Sequence, residues 1–219
     1  MRMSRLAAGF LGFTTACFAA IVRADEAAQV QPHYYTLSIS LAPALCQLHP
    51  ENRQLRICQE GYSIIVQGFW PESQDGRRVR NCSRDNPELS PVQERVLEKV
   101  MPDDPLRARE WQRHGSCTGM TAQEYFRALM SRANRLRLPS QINKEGRDQV
   151  MDRSQLVSDI MKLNAGLPEK GIYLRCNLQE GTPLLTELRV CYKPNGEFTE
   201  CSSSFKPNCP TTFTVRAVP

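Results

Sequence analysis

YSIIVQGFW, residues 62–70, decides the fold class of this chain. Its run Ile64-Ile65-Val66 is apolar without alternation, the pattern of a strand buried on both faces. Upstream, HYYTLSIS, residues 33–40, alternates and is rich in β-formers, so it reads as another strand. Downstream, residues 72–90 are polar and turn-like and hold Cys82. Ser90 can then cap a helix, Pro91 suits its first position and Gln93 completes a capping box. Val92, Val96, Leu97 and Val100 share the apolar face of that helix, and Pro102 ends it. Thr121-Ala122-Gln123-Glu124 is a second capping box. Tyr125, Phe126, Leu129, Met130, Ala133 and Leu136 follow at helical spacing as far as Pro139. A third helix covers Leu156 to Leu163 and stops at Asn164-Ala165-Gly166. IYLRCNL, LLTELRVCYK and TFTV then read as strands between glycine and proline turns. Strands, then helices, then strands, with no strict βαβ alternation, predict an α+β fold: an antiparallel sheet flanked by helices. No linker divides the chain, so the expectation is one domain.

The composition agrees. The chain has 219 residues, nine cysteines and a formal charge of +5, with 41% hydrophobic and 23% charged residues. That is a globular composition, neither disordered nor collagenous. Arg2 and Arg5 precede the apolar run LAAGFLGFTTACFAAIV, residues 6–22, and Val22-x-Ala24 offers the small residues of a cleavage site. Residues 1–24 are therefore expected to be a signal peptide, with 25–219 forming the single mature domain. The product would be secreted or periplasmic, with no membrane association after cleavage. Cleavage removes Cys17 and leaves eight cysteines, an even count that reads as a disulfide framework in an exported chain. It also removes three arginines and lowers the net charge to +2, so bulk charge is no argument for a polyanionic partner.

Two segments carry chemistry: Gln67-Gly68-Phe69-Trp70-Pro71 and Glu110-Trp111-Gln112-Arg113-His114-Gly115-Ser116-Cys117. Glu110 and His114 are four apart, so on a helix a carboxylate can hold or tune an imidazole. Arg113 adds a fixed cation. Such a trio suits phosphoryl transfer, where charge builds on non-bridging oxygens. The same spacing also fits an exposed helical ion pair. His114-x-x-Cys117 could begin a metal site, but His33 and His49 stand in no ligand-like spacing, so no metal or cofactor is expected. Cys117 in an eight-cysteine exported chain reads as disulfide-bonded rather than nucleophilic. There is no Gly-x-Ser-x-Gly elbow and no phosphate-binding glycine loop.

With QGFWP at 67–71 and EWQRHGSC at 110–117, the chain resembles the ribonuclease T2 family of secreted endoribonucleases. That family carries His-Gly-Leu-Trp-Pro and Glu-x-x-Lys-His-Gly-Thr-Cys segments in the same order. HYYTLSISLAPALC, 33–46, is similar to the family's opening strand. The resemblance implies four disulfides: Cys46–Cys58, Cys82–Cys117, Cys176–Cys209 and Cys191–Cys201. It implies a monomer that acts on single-stranded RNA without metal, through 2′-hydroxyl attack and a 2′,3′-cyclic phosphate. His114 takes the role of general base. Glu110 and Arg113 stabilise the phosphorane, Trp70 packs in the site or stacks on a base, and Arg109 can bind phosphate.

The chain departs from the family at Gln67, where the general-acid histidine is expected. Glutamine can donate a hydrogen bond to a phosphate oxygen but cannot shuttle a proton near neutral pH. His33 or His49 could supply the proton only by folding close to it. Two functions therefore stay open: an endoribonuclease with reduced or altered activity, and a pseudoenzyme that binds RNA or a protein partner.

Overall fold

The alternating residues near the start form a strand with both faces covered. In the computed structural model of the chain, which describes residues 32–74, 79–143, 146–178 and 181–218, β1 runs Tyr34–Leu41 and every residue in it is buried. The expected signal peptide lies outside the described residues. Antiparallel neighbours flank β1: β2 (Ile64–Glu72) on one side and β5 (Leu184–Tyr192) on the other. β4 (Ile172–Asn177) pairs with the far edge of β5. β3 (Gln149–Asp152) and β6 (Thr212–Val215) form an antiparallel ribbon. That ribbon joins the sheet through one parallel contact, Leu184 with Thr214. The sheet is thus antiparallel except at that contact.

One face of the sheet is apolar. Leu37, Ile39, Phe69 and Val190 pack there in a core that includes Tyr125, Phe126 and Leu129 of α5 (Ala122–Arg135). Leu156 and Ile160 of α6 (Arg153–Leu163) belong to the same core. The other face is polar yet buried. It carries Thr36, Ser38 and Ser40 of β1 and Glu187 and Arg189 of β5. Alternation therefore identified the strand, while its polar side turns inward.

The short helices are α1 (Ala42–Leu48), α2 (Arg56–Gln59), α3 (Pro91–Leu97) and α4 (Asp104–Arg113). Both predicted capping boxes form, with Ser90 capping α3 and Thr121 capping α5. The apolar face expected for the first of these helices does not. α3 has two turns; Leu97 is buried, while Val92 and Val96 are 60% and 41% exposed. Val100 lies beyond the helix end, where its carbonyl accepts from Val66 N–H at 2.8 Å. α6 starts three residues before Leu156 because Asp152 caps it, accepting from Gln155 N–H at 3.0 Å.

All four expected disulfides are present: Cys46–Cys58, Cys82–Cys117, Cys176–Cys209 and Cys191–Cys201. The first ties α1 to α2. The second anchors the turn after α4, and the last two pin the 200–209 segment to β5 and β4.

Candidate active site

A bulge in β2 builds the site. Ser38 pairs with Gly68 and Ile39 with Val66, so Gln67 is the extra residue between them. A bulge breaks the alternation of the pleat. Gln67 thereby reaches the polar face, where Ser38 Oγ and Ser40 Oγ lie 3.2 and 2.9 Å from its Oε1. Gly68 follows because nothing larger fits. A Cβ there would stand 2.3 Å from Trp70 Nε1 and 2.5 Å from Glu110 Oε2.

Those two atoms form the next contact. Trp70 Nε1–H donates to Glu110 Oε2 at 3.1 Å, and Phe69 N–H donates to Glu110 Oε1 at 2.7 Å. Tyr125 also donates its hydroxyl to Glu110 Oε1. Burial and the adjacent Glu110 charge push the Tyr125 phenol well above its usual range, so it remains a donor at any working pH. Glu110 sits inside α4 and is buried, which puts a carboxylate in the interior with these donors around it.

His114 closes α4. Its N–H bonds the Glu110 carbonyl at 3.0 Å, and a 3₁₀ turn over Gly115–Thr118 follows. The imidazole is buried, with its centroid 5.6 Å from the Trp70 ring. Gly115 permits the turn, since a Cβ would stand 2.6 Å from Trp111 and 2.8 Å from Tyr125. Cys117 fastens the turn to Cys82. Arg109 and Arg113 lie on the exposed side of α4.

The structure thus gathers Gln67, Trp70, Glu110 and His114 around one bulged strand. It places Arg109 and Arg113 on the surface of the helix that supplies two of them. His33 is exposed before β1, five residues and about 17 Å of strand from Ser38. His49 is exposed and bonded to Glu51 at 3.0 Å. Neither stands beside Gln67. Among the described residues no group of three or more His, Cys, Asp or Glu could hold a metal ion, and no helix is long and apolar enough to cross a membrane.

Four contributors escaped the motif reading: Ser38, Ser40, Glu187 and Arg189. The signal for them lies in the strands. Ser38 and Ser40 share one face of an alternating strand, and Glu187 and Arg189 are two apart in a largely apolar one. Arg189 Nε and Nη2 donate to Glu187 Oε1 and Oε2 at 2.6 and 2.8 Å, with both residues buried.

The family model of the Ribonuclease T2 family matches residues 32–201, which include both motif segments and the bulged strand. The chain belongs to the ribonuclease T2 family. A "Probable ribonuclease" of Haemophilus influenzae is 28% identical over 183 residues, covering 78% of this chain and 61% of that protein. A "Ribonuclease" of Aeromonas hydrophila is 28% identical over 92 residues, 42% of this chain and 40% of that protein. The chain therefore spans less than two thirds of the length of these two relatives. Among solved structures, RNase NT in complex with 5′-AMP superposes with a TM-score of 0.63 at 17% identity, covering 87% of this chain and 100% of that one. The RNase-related protein from Calystegia sepium superposes with a TM-score of 0.65 at 15% identity, covering 87% and 98%. Those likenesses show that this chain has the ribonuclease T2 fold.

Proposed function

We propose that the chain is an exported endoribonuclease that cleaves single-stranded RNA as a monomer, without metal. One observation carries this reading. His114 is held by a helix end, a disulfide-anchored turn and the Trp70–Glu110 pair, facing the strand that carries Gln67. Fixed orientation of the reacting group is a large part of what such a site must supply. His114 takes the proton of the ribose 2′-hydroxyl. The 2′-oxygen bonds to phosphorus, the bond from phosphorus to the 5′-oxygen breaks, and a 2′,3′-cyclic phosphate remains. Arg109 and Arg113 attract the phosphates from the helix surface. Gln67 contributes a hydrogen bond rather than a proton, so water protonates the departing oxygen. The reaction is correspondingly slow.

The test is incubation of the purified, disulfide-bonded chain with single-stranded RNA in the presence of a chelator, with analysis of the ends formed. Cyclic-phosphate ends that vanish in His114→Ala are expected. If wild type and His114→Ala are equally inert, the reading fails.

Gln67 favours a second reading, a pseudoenzyme that binds RNA or a protein partner on the same surface. RNA binding with no cleavage by the wild type would put this reading in place of the first.

A further inference from the structure

A buried ion pair on β5 has no evident reason to be there. The strand's other buried positions are Leu184, Leu185, Leu188, Val190, Cys191 and Tyr192. Replacing a buried ion pair by apolar residues of similar volume is often neutral or stabilising. Glu187 and Arg189 are thus poorly accounted for as stabilisers; Arg175 of β4 approaches Glu187 Oε2 at 3.8 Å, and further contacts of the pair run to the site.

Both arms of the pair lead to a motif residue. Ser38 Oγ lies 2.5 Å from Glu187 Oε1 and 3.2 Å from Gln67 Oε1. Arg189, the cross-strand partner of Ser38, reaches over β1 and sets its guanidinium carbon 4.9 Å from the Trp70 ring centroid. Tyr173 and Phe205 flank the guanidinium at 5.7 and 6.0 Å. The two bonds to Glu187 fix the guanidinium plane, which a single-point ammonium contact would not do. Trp70 is therefore constrained by Arg189 over its ring, Glu110 at its Nε1 and His114 beside it.

We propose that Glu187 and Arg189 are positioning residues of this site: Glu187 locks the Arg189 guanidinium against Trp70, and the indole so held orients Glu110 and His114. The proposal rests on the cleavage reading above for its effect on rate, but its structural core does not.

The test uses the full disulfide-bonded chain with three variants: Arg189→Lys, Glu187→Gln, and the double replacement Glu187→Leu with Arg189→Leu, which leaves no lone buried charge. The first readout is the indole N–H resonance of Trp70. The chain has two tryptophans, so a Trp111→Phe variant assigns it. The second readout is the split between kcat and KM for RNA cleavage. All folded variants are expected to move the Trp70 resonance. The kcat is expected to fall by about 10- to 100-fold, the scale of a misplaced reacting group. KM should change by less than roughly threefold, because uniform binding is untouched. A Trp70 resonance that stays in place in the folded double-leucine variant overturns the proposal. So does a loss carried by KM alone, which would make Arg189 a phosphate ligand. If the wild type cleaves no RNA, the cleavage reading falls, and the Trp70 resonance still decides the positioning role.

Discussion

Replacing Glu110 by alanine tests whether this carboxylate serves the scaffold before it serves any substrate. In the folded protein its two oxygens accept from Phe69 N–H, Trp70 Nε1–H and Tyr125 O–H. Tyr125 has a second acceptor, the Phe69 carbonyl at 2.5 Å, so its hydroxyl survives the loss. For the other two donors Glu110 is the acceptor, and both belong to buried residues. An orphaned buried donor costs about 1–3 kcal/mol, so Glu110→Ala should cost roughly 2–6 kcal/mol. That is a large part of the ~5–15 kcal/mol that holds a domain together. Glu110→Gln keeps an acceptor for Phe69 and Tyr125 but sets an amide N–H₂ against the indole N–H. It should lose one contact, about 1–3 kcal/mol. Urea unfolding at neutral pH with the disulfides intact gives both numbers. Alanine should be worse than glutamine, and glutamine worse than wild type. An alanine variant within about 1 kcal/mol of wild type, well under the cost of two orphaned donors, would refute the accounting. A glutamine variant as stable as wild type but unable to cleave would refute it differently, by showing that the charge acts on the substrate.

Three further outcomes follow from the same structure. Gln67→His restores a titratable group on the bulge and should raise cleavage by about 10²- to 10⁴-fold, the usual contribution of a general acid; initial rates on a short oligoribonucleotide measure it. Replacing Cys82 and Cys117 together by serine opens a 35-residue separation and should cost about 3–4 kcal/mol in denaturant unfolding. The loosened turn under His114 should also reduce cleavage in conditions where the chain is still folded. The Thr121 amide and hydroxyl hold the Glu124 carboxyl below its usual value of 4.5. A depressed carboxyl contributes stability that is present above pH 4.5 and is lost as pH falls through the lower folded value. The difference in Tm between wild type and Glu124→Gln should therefore be seen at pH 7 and shrink on acidification below 4.5.

Local chemistry was the most legible part of the sequence. Ser90 and Thr121 marked helix starts because capping residues and their partners sit within four positions of each other. Ile65 and Val66 marked a buried strand because nothing polar interrupts them. Gln67, Trp70, Glu110 and His114 were singled out by their residue types and motif spacing. Contacts distant in sequence were not legible. Alternation in Thr36, Ser38 and Ser40 could not tell that their side of β1 is buried, because their partners there are Gln67 of β2 and Glu187 and Cys191 of β5, all distant in sequence. Val92 and Val96 had helical spacing, but spacing cannot reveal that α3 is too short to lay both against the core. Arg189 was invisible as a neighbour of Trp70, since only the pairing of β1 with both β2 and β5 brings the two together.

The two outer strands of the main sheet have edge groups taken up by a loop carbonyl and by side chains. On β2, the N–H of Val66 is taken by the Val100 carbonyl and that of Phe69 by Glu110. On β4, Asn208 meets the N–H and carbonyl of Cys176 at 2.9 and 2.8 Å. An unpaired strand edge is a template for a second chain, and proteins survive at high concentration by blocking it. Glu110 therefore occupies a backbone donor on the β2 edge as well as holding Trp70. Removing the carboxylate would open that edge position and release the indole in the same step, so the strand edge and the site share one side chain.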